Sequence, residues 1–187
     1  MPENGFSHLY LGIVKLLETL RLPYLIVGGM ATGVLGEPRL THDVDAIIGF
    51  KSSDIERVLK KAGEEGFLFN DRETRKDIQE KGTFRLQYRK SWADLIIAST
   101  ELEQSAFKRA RRVKVLGVEA NFPSPEDFIL FKLIPGRPKD LLDVESVILR
   151  HRDNLDRAYL ERWAQRISDE MEDLRVFNTL KKLLKRP

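Results

Sequence analysis

The fold is decided by two stretches, Tyr24-Leu-Ile-Val-Gly-Gly-Met-Ala31 and Arg39-Leu-Thr-His-Asp-Val-Asp-Ala-Ile-Ile48. In the first stretch, four apolar residues are closed by Gly28-Gly29, which predicts a short buried strand that turns directly into a helix. In the second stretch, Val44–Ile48 predicts another buried strand. A small sheet is therefore expected near the beginning of the chain.

Two carboxylates stand at the start of the second strand. Asp43 and Asp45 are two residues apart, so their side chains project from the same face, while Val44 points into the core. Such a pair is also common at solvated strand starts. Carboxylates this close repel each other unless a cation lies between them. Oxygen ligands suit Mg²⁺ or Mn²⁺, which also bind phosphate oxygens, so the pair indicates a candidate cation site.

Two further features could complete such a site. Gly28 and Gly29 leave backbone N–H groups exposed at a helix N-terminus, where a phosphate can approach closely, although a strand that ends in two glycines is often only a tight turn. Asp94 lies within the predicted strand Trp92–Ala98, flanked by apolar residues. On a strand next to Asp45 it would complete a two-metal site; alone, it would be an ordinary edge-strand acid.

The order of these motifs resembles that of the DNA polymerase beta-like nucleotidyltransferase superfamily. More narrowly, GGMATGVLGEPRLTHDVD and SPEDFILFKLIPGRPKDLLDV are similar to small bacterial nucleotidyltransferases related to abortive-infection toxins (AbiEii-like). The resemblance covers about residues 20–150. It implies magnesium-dependent transfer of a nucleoside monophosphate from a nucleoside triphosphate to a hydroxyl group, with release of pyrophosphate.

The resemblance also implies a role for each acid. Asp43 and Asp45 would hold both metal ions, and Asp94 would ligate the catalytic ion and help to deprotonate the acceptor hydroxyl. Many members of the superfamily have a serine after the first glycine, whose hydroxyl touches phosphate. Here Gly29 offers only its backbone, so part of the grip on the triphosphate must come from elsewhere.

A lysine interrupts an otherwise apolar helix, Phe128–Ile134. Burying an unpaired ammonium is costly, so Lys132 must reach an anion or extend to solvent at the helix end. The anion is a phosphate of the nucleotide or the carboxylate of Asp140, and the family pattern resembles this arrangement. Arg39 and Thr41 could orient phosphate, although an ordinary surface ion pair explains Arg39 equally well.

The sequence leaves the acceptor open among an RNA such as a tRNA end, a protein side chain and a small molecule such as an aminoglycoside. Basic clusters near Lys108 and Lys181 slightly favour a nucleic acid or a cognate antitoxin, although solvated helix faces explain most such clusters. The alternative from a different class is a non-catalytic module that keeps the nucleotidyltransferase fold and binds a nucleotide or a partner protein.

Composition narrows the class of protein. The 187 residues are 42% hydrophobic and 33% charged, which excludes disordered and fibrous classes. Cysteine is absent, so disulfide scaffolds, cysteine nucleophiles and thiolate zinc sites are excluded. A formal net charge of +3 does not establish a nucleic-acid partner. The chain shows neither a secretory signal nor a run of about 18 apolar residues, so we expect a cytoplasmic protein without a membrane span.

The expected fold class is α+β. Residues 1–122 would form the nucleotidyltransferase core, a small mixed sheet with helices on one face, and residues 123–187 a C-terminal helical portion packed on that core. The signature Ser124-Pro-Glu-Asp127 predicts the first helix of this portion. Strands at Thr83–Tyr88 and Trp92–Ala98 are expected to form a hairpin through Arg89-Lys90-Ser91.

Overall fold

The computed structural model describes residues 5–185 and has the predicted α+β class. Its strands are β1 (Tyr24–Val27), β2 (Val44–Ile48), β3 (Thr83–Tyr88), β4 (Ser91–Ile97), β5 (Arg111–Val115) and β6 (Val118–Phe122). Its α-helices are α1 (Gly5–Thr19), α2 (Gly28–Leu35), α3 (Ile55–Glu64), α4 (Asp71–Lys81), α5 (Glu101–Lys108), α6 (Pro125–Leu133), α7 (Pro138–His151), α8 (Arg157–Glu170) and α9 (Arg175–Leu184). Short 3-10 turns cover Ser52–Asp54 and Arg152–Asn154.

Four strands form one mixed sheet in the order β1-β2-β4-β3. β2 runs antiparallel to β1 and parallel to β4, and β4 pairs antiparallel with β3. β5 and β6 form a separate antiparallel pair, whereas the sequence predicts a single sheet up to residue 122. The turn at Leu116-Gly117, where both residues have positive φ, closes β5 and β6 on each other.

Alternation along the strands gives the four-stranded sheet two distinct faces. Val44 and Ala46 of β2 and Leu95 of β4 are fully buried on one face. α1 packs against β4 and buries its apolar stripe there, which explains the helical spacing of its leucines. Since successive strand residues point to opposite sides, Asp45 and Asp94 lie on the other face.

Helix α4 is absent from the sequence prediction because it is almost entirely polar. Only Thr74 and Ile78 are buried along it. Its ends are nevertheless marked in the sequence. The Asn70 side chain accepts a hydrogen bond from Glu73 N at 3.1 Å, and Gly82 closes the helix in the left-handed conformation. Asn70 and Gly82 are therefore the sequence features from which α4 could have been predicted.

The first helix after residue 123, α6, starts as predicted. Ser124 Oγ accepts a hydrogen bond from Asp127 N at 3.1 Å, and Pro125 lies in the first turn of α6. The Asp127 carboxylate is fully buried and accepts hydrogen bonds from Ser124 Oγ and from the Tyr159 hydroxyl, each at 2.6 Å. The cap of α6 is thereby tied to α8.

The chain divides into two compact units. The first holds the described residues up to Met30 together with Leu40–Phe122, and the second holds Ala31–Arg39 and the described residues from Pro123 onward. The boundary at residue 122 that the sequence predicts separates Ala31–Arg39 from the C-terminal helices, whereas the structure groups this segment with them. The segment belongs there because Leu35 O and Gly36 O accept hydrogen bonds from His151 and Arg150 of α7. Across residues 5–185, none of the helices combines the length and apolar character needed to cross a bilayer.

Candidate functional site

The register of the sheet brings two of the predicted acids together. Asp45 of β2 lies directly opposite Asp94 of the parallel strand β4, and on its other side it pairs with Val27, the last residue of β1. Directly paired residues carry their side chains on the same face. Asp43 precedes β2 by one residue and is exposed. The sheet therefore places Asp45 and Asp94 side by side, next to the strand end that carries the two glycines.

Gly28 makes room for the first of these acids. It has a φ of +59°, and a Cβ added to it would lie 1.8 Å from Asp45 Oδ2. A larger residue would both strain the backbone and displace the carboxylate. The glycine that the sequence associates with phosphate approach is thus also required for the position of Asp45.

Gly29 is crowded by a different residue. A Cβ at this position would lie 2.7 Å from Thr41 Cβ and 2.8 Å from Thr41 Oγ1. The Thr41 hydroxyl in turn donates a hydrogen bond to Asp43 O at 3.1 Å. Thr41 therefore fills the space that a side chain at position 29 would need, which gives a steric reason for a glycine here.

Arg85 is a site residue that the sequence analysis missed. It lies opposite Asp94 on β3, and its Nε and Nη2 donate to Asp94 Oδ1 and Oδ2 at 2.6 and 2.9 Å. Its guanidinium carbon also lies 5.4 Å from the ring centroid of Trp92. The hydrogen bond to Asp94, reinforced by the charges of Asp43 and Asp45, raises the pKa of Arg85.

The donor chemistry of this site suits Mg²⁺ or Mn²⁺, since it consists of carboxylate oxygens. Asp45 and Asp94 are adjacent in register, and Asp43 precedes Asp45 by two residues along the chain. Within residues 5–185, no three His, Cys, Asp or Glu side chains are grouped closely enough to hold a metal ion. Asp94 is paired with Arg85 instead, and convergence of the three acids on a cation remains a prediction.

A large cavity adjoins Asp94 within the first unit. Its volume is about 790 Å³, and it extends from the Asp94–Arg85 pair across β3 to α4. Aromatic and apolar walls come from Trp92, Phe69 and Leu68, and carboxylates from Glu73 and Asp77 of α4. This size is typical of pockets for small organic molecules.

The second unit contains a buried ion cluster around Lys132. Its Nζ donates to Asp140 Oδ1 at 3.0 Å, as the sequence predicts, and also to Asp143 Oδ2 at 2.8 Å. Asp140 is fully buried, and the Lys132 side chain is only 9% exposed. The lysine is therefore anchored by two carboxylates, and it does not extend to solvent at the helix end.

Two arginines complete this cluster from its outer side. Arg39 Nε and Nη2 donate to Asp143, and Arg137 Nε and Nη2 donate to Asp140. Although burial alone would raise them, hydrogen bonds from these arginines and from Lys132 hold the pKa values of Asp140 and Asp143 below the usual range. The cluster contains one more cation than carboxylates. The sequence missed Asp143 and Arg137, although Asp143 lies one helical turn after Asp140.

The family follows from a sequence match over most of the chain. Residues 12–184 match the profile of a family described as a nucleotidyltransferase of unknown function (DUF6036). The chain is a member of this nucleotidyltransferase family. Membership confirms the nucleotidyltransferase class that the glycine and aspartate motifs indicate, whereas placement in the DNA polymerase beta-like superfamily and in its AbiEii-like group remains a prediction. No curated protein is detectably similar in sequence.

Solved structures of similar fold include known nucleotidyltransferases. The lincomycin-bound lincosamide antibiotic adenylyltransferase LnuA has a TM-score of 0.51 at 15% identity, with 75% of this chain and 94% of LnuA covered. The antibiotic-resistance factor ANT(2'')-Ia has a TM-score of 0.54 at 16% identity, with 89% and 97% covered. JHP933 from Helicobacter pylori has a TM-score of 0.52 at 17% identity, with 99% and 94% covered. At these identities the likeness establishes the fold of the DUF6036 protein.

Proposed function

We propose that this DUF6036 protein transfers a nucleoside monophosphate from a nucleoside triphosphate to a hydroxyl group of a small organic acceptor. The observation that carries the proposal is the register of Asp45 beside Asp94, next to the Gly28 strand end. Family membership supports the reaction class.

The acids would act with Mg²⁺ or Mn²⁺. Asp43 and Asp45 would hold both ions, and Asp94 would hold one of them. The ions would supply positive charge to the phosphate oxygens, a contribution that carboxylates alone cannot make. Asp94 would also accept the proton of the acceptor hydroxyl, because among the three proposed cation ligands it is the one that borders the 790 Å³ cavity.

Phosphate binding would use backbone and side-chain groups. The N–H groups of Gly28 and Gly29 open α2, where backbone donors are available to an anion. Thr41 would hold the loop before Asp43 in place through its hydrogen bond to Asp43 O. Arg39 and Lys132 are proposed as further phosphate-binding groups, with Asp140 as the residue that positions Lys132.

The cavity beside Asp94 favours a small acceptor over a macromolecule. It is concave and combines aromatic walls with acidic groups, as sites for small polar molecules do. Structures of similar fold have small molecules in this role: LnuA is lincomycin-bound, and ANT(2'')-Ia is known in complex with adenylyl-2''-tobramycin. A triphosphate donor would place the reaction in the cytoplasm.

The test supplies every acceptor class to the full chain. The protein is incubated with Mg²⁺, nucleoside triphosphates labelled at the α-phosphate, and either the small-molecule or the macromolecular fraction of a bacterial lysate. Label transfer to the small-molecule fraction, lost in Asp45→Asn, is the expected result.

The other outcomes identify the competing functions. Transfer to RNA or to a protein would overturn the small acceptor and favour a role like that of abortive-infection toxins, for which an antitoxin partner would then be sought. No transfer with any nucleotide or fraction would overturn catalysis and favour the non-catalytic binding module.

A further inference from the structure

Arg85 binds both oxygens of the Asp94 carboxylate. Its Nε and Nη2 reach the two oxygens at 2.6 and 2.9 Å, which is the two-point geometry in which a guanidinium binds a carboxylate most strongly. The ring of Trp92 lies 5.4 Å from the guanidinium carbon and adds a cation–π contact. An arginine in this position remains protonated at every physiological pH.

The charge of Arg85 acts on more than its direct partner. In the register of the sheet, Asp94 lies between Arg85 of β3 and Asp45 of β2, so the guanidinium is close to a second carboxylate. The guanidinium therefore offsets negative charge at two of the acids that the proposed reaction assigns to a divalent cation, Asp94 and Asp45. It relieves the repulsion that these acids would otherwise exert on one another.

We propose that Arg85 is the resting counter-ion of this acidic site and that a divalent cation binds only when Arg85 releases Asp94. The inference rests on the proposed function, since it concerns the cation of that same reaction. Arg85 is a positioning residue in this scheme. It lowers the apparent affinity for the cation by the fraction of time it spends on Asp94.

The surroundings of Arg85 allow the side chain to leave. It is 56% exposed, so its movement opens no void in the core. It also lines the 790 Å³ cavity, where Glu73 and Asp77 provide other carboxylates for a guanidinium. The simpler explanation is that Arg85–Asp94 is only a cross-strand pair that stabilises the hairpin of β3 and β4. The two explanations differ in what they predict for cation binding.

The experiment measures Mn²⁺ binding to the full chain by calorimetry, without nucleotide and at physiological ionic strength. We compare the wild type with Arg85→Gln, and use Arg72→Gln, an exposed position on α4, as a control that loses the same charge. Arg85→Gln is expected to lower the Kd for Mn²⁺ about tenfold, as follows if Arg85 occupies Asp94 roughly 90% of the time. Arg72→Gln should leave the Kd within about twofold, because Arg72 is exposed, does not line the cavity beside Asp94, and its charge is screened by salt.

Thermal melting gives a second, independent readout. Without a divalent cation, Arg85→Gln should melt below the wild type, because the acids lose their counter-ion, and Mn²⁺ should raise the Tm of the variant by more than that of the wild type. Arg85→Lys keeps the charge but loses the two-point contact, so its Kd should fall between those of the wild type and Arg85→Gln. This variant also serves if Arg85→Gln does not fold.

The outcomes separate this inference from the proposed function. If the wild type binds Mn²⁺ and both variants bind it equally well or more weakly, the counter-ion role is wrong and Arg85 only supports the hairpin, while nucleotidyl transfer is unaffected. If neither the wild type nor the variants bind Mn²⁺, the counter-ion role falls together with the cation requirement of the proposed reaction.

Discussion

The carboxylate of Asp45 lies so close to Gly28 that a Cβ on the glycine would stand 1.8 Å from Asp45 Oδ2. Gly28 also has a φ of +59°, a backbone conformation that residues with a Cβ rarely adopt. The two facts together make this glycine a steric requirement for the position of the acid. The position of the acid, and the phosphate approach that we propose, therefore both require that residue 28 has no side chain.

Gly28→Ala should lower stability and abolish transfer. The left-handed backbone alone costs roughly 1–2 kcal/mol for a residue with a Cβ, and Asp45 must move as well. Gly82→Ala is the matched control, since Gly82 has a similar φ of +64° and nothing within 4 Å of the added Cβ. Chemical denaturation measures both. Equal losses of stability, with transfer retained in Gly28→Ala, would contradict the steric role.

Gly29→Ser should lose function, although it restores the commoner residue of the superfamily. Its Cβ would lie 2.7 Å from Thr41 Cβ, and the β-branched Thr41 has little freedom to move away. Gly33→Ser, in the same helix, has only Pro38 Cα at 4.0 Å and serves as the control. We expect a lower Tm for Gly29→Ser than for Gly33→Ser. Tighter nucleotide binding by Gly29→Ser would contradict this prediction, because it would show that Thr41 moves to make room for the serine.

Asp45→Asn should abolish transfer without unfolding the protein. The substitution removes one of several like charges, so the Tm should stay constant or rise, whereas turnover should fall by at least about 100-fold, the scale on which single electrostatic groups act in catalysis. Asp153→Asn, at an exposed acid of the second unit, is the control for charge. A parallel loss of Tm and turnover would assign Asp45 a structural role.

The sequence predicts β1, β2 and the acids of this site, but it does not predict the contact between Arg85 and Asp94. The reason is strand register. β1, β2 and the acids follow from local apolar patterns and need no partner to be recognised. The hairpin was expected to turn through Arg89-Lys90-Ser91, which places Leu86 opposite Asp94. The turn contains only Arg89 and Lys90, so Arg85 pairs with Asp94. A shift of one residue moves every side chain of β3 to the opposite face of the sheet, so the predicted register does not identify Arg85 as the partner of Asp94.

The buried ion cluster around Lys132 shows a second feature that the sequence predicts only in part. An apolar helix with one lysine indicates that Lys132 needs an anion, and Asp140 was the predicted choice. The sequence cannot show that Asp143, one turn later on α7, reaches the same ammonium, because this depends on how α6 and α7 pack. Arg39 joins from a segment that is remote along the chain. Ion pairs between different elements depend on tertiary packing, and local sequence patterns do not predict them.

Lys132→Met should destabilise the protein, because the ammonium binds two buried carboxylates. Removing one partner from a buried ion pair typically costs about 3–5 kcal/mol. Lys132→Met/Asp143→Asn should recover part of this loss, since it also removes one of the carboxylates left behind. Urea denaturation measures both variants. If Lys132→Met has the stability of the wild type and only turnover falls, the charge serves phosphate binding and the cluster contributes nothing to folding.

Acid should destabilise the folded protein through the same cluster. Hydrogen bonds from Arg137, Arg39 and Lys132 lower the pKa values of Asp140 and Asp143 in the folded state. The unfolded chain therefore binds protons first as the pH falls, so this stabilisation is complete above the unfolded pKa of about 3.9 and is lost below it. The contribution of these two groups to Tm should be constant between about pH 7 and 5 and should decrease below about pH 4. Asp143→Asn removes one such carboxyl, so its Tm should depend less steeply on pH in the acid range. If the wild type and Asp143→Asn lose Tm in parallel below that pH, the acid sensitivity arises elsewhere in the chain.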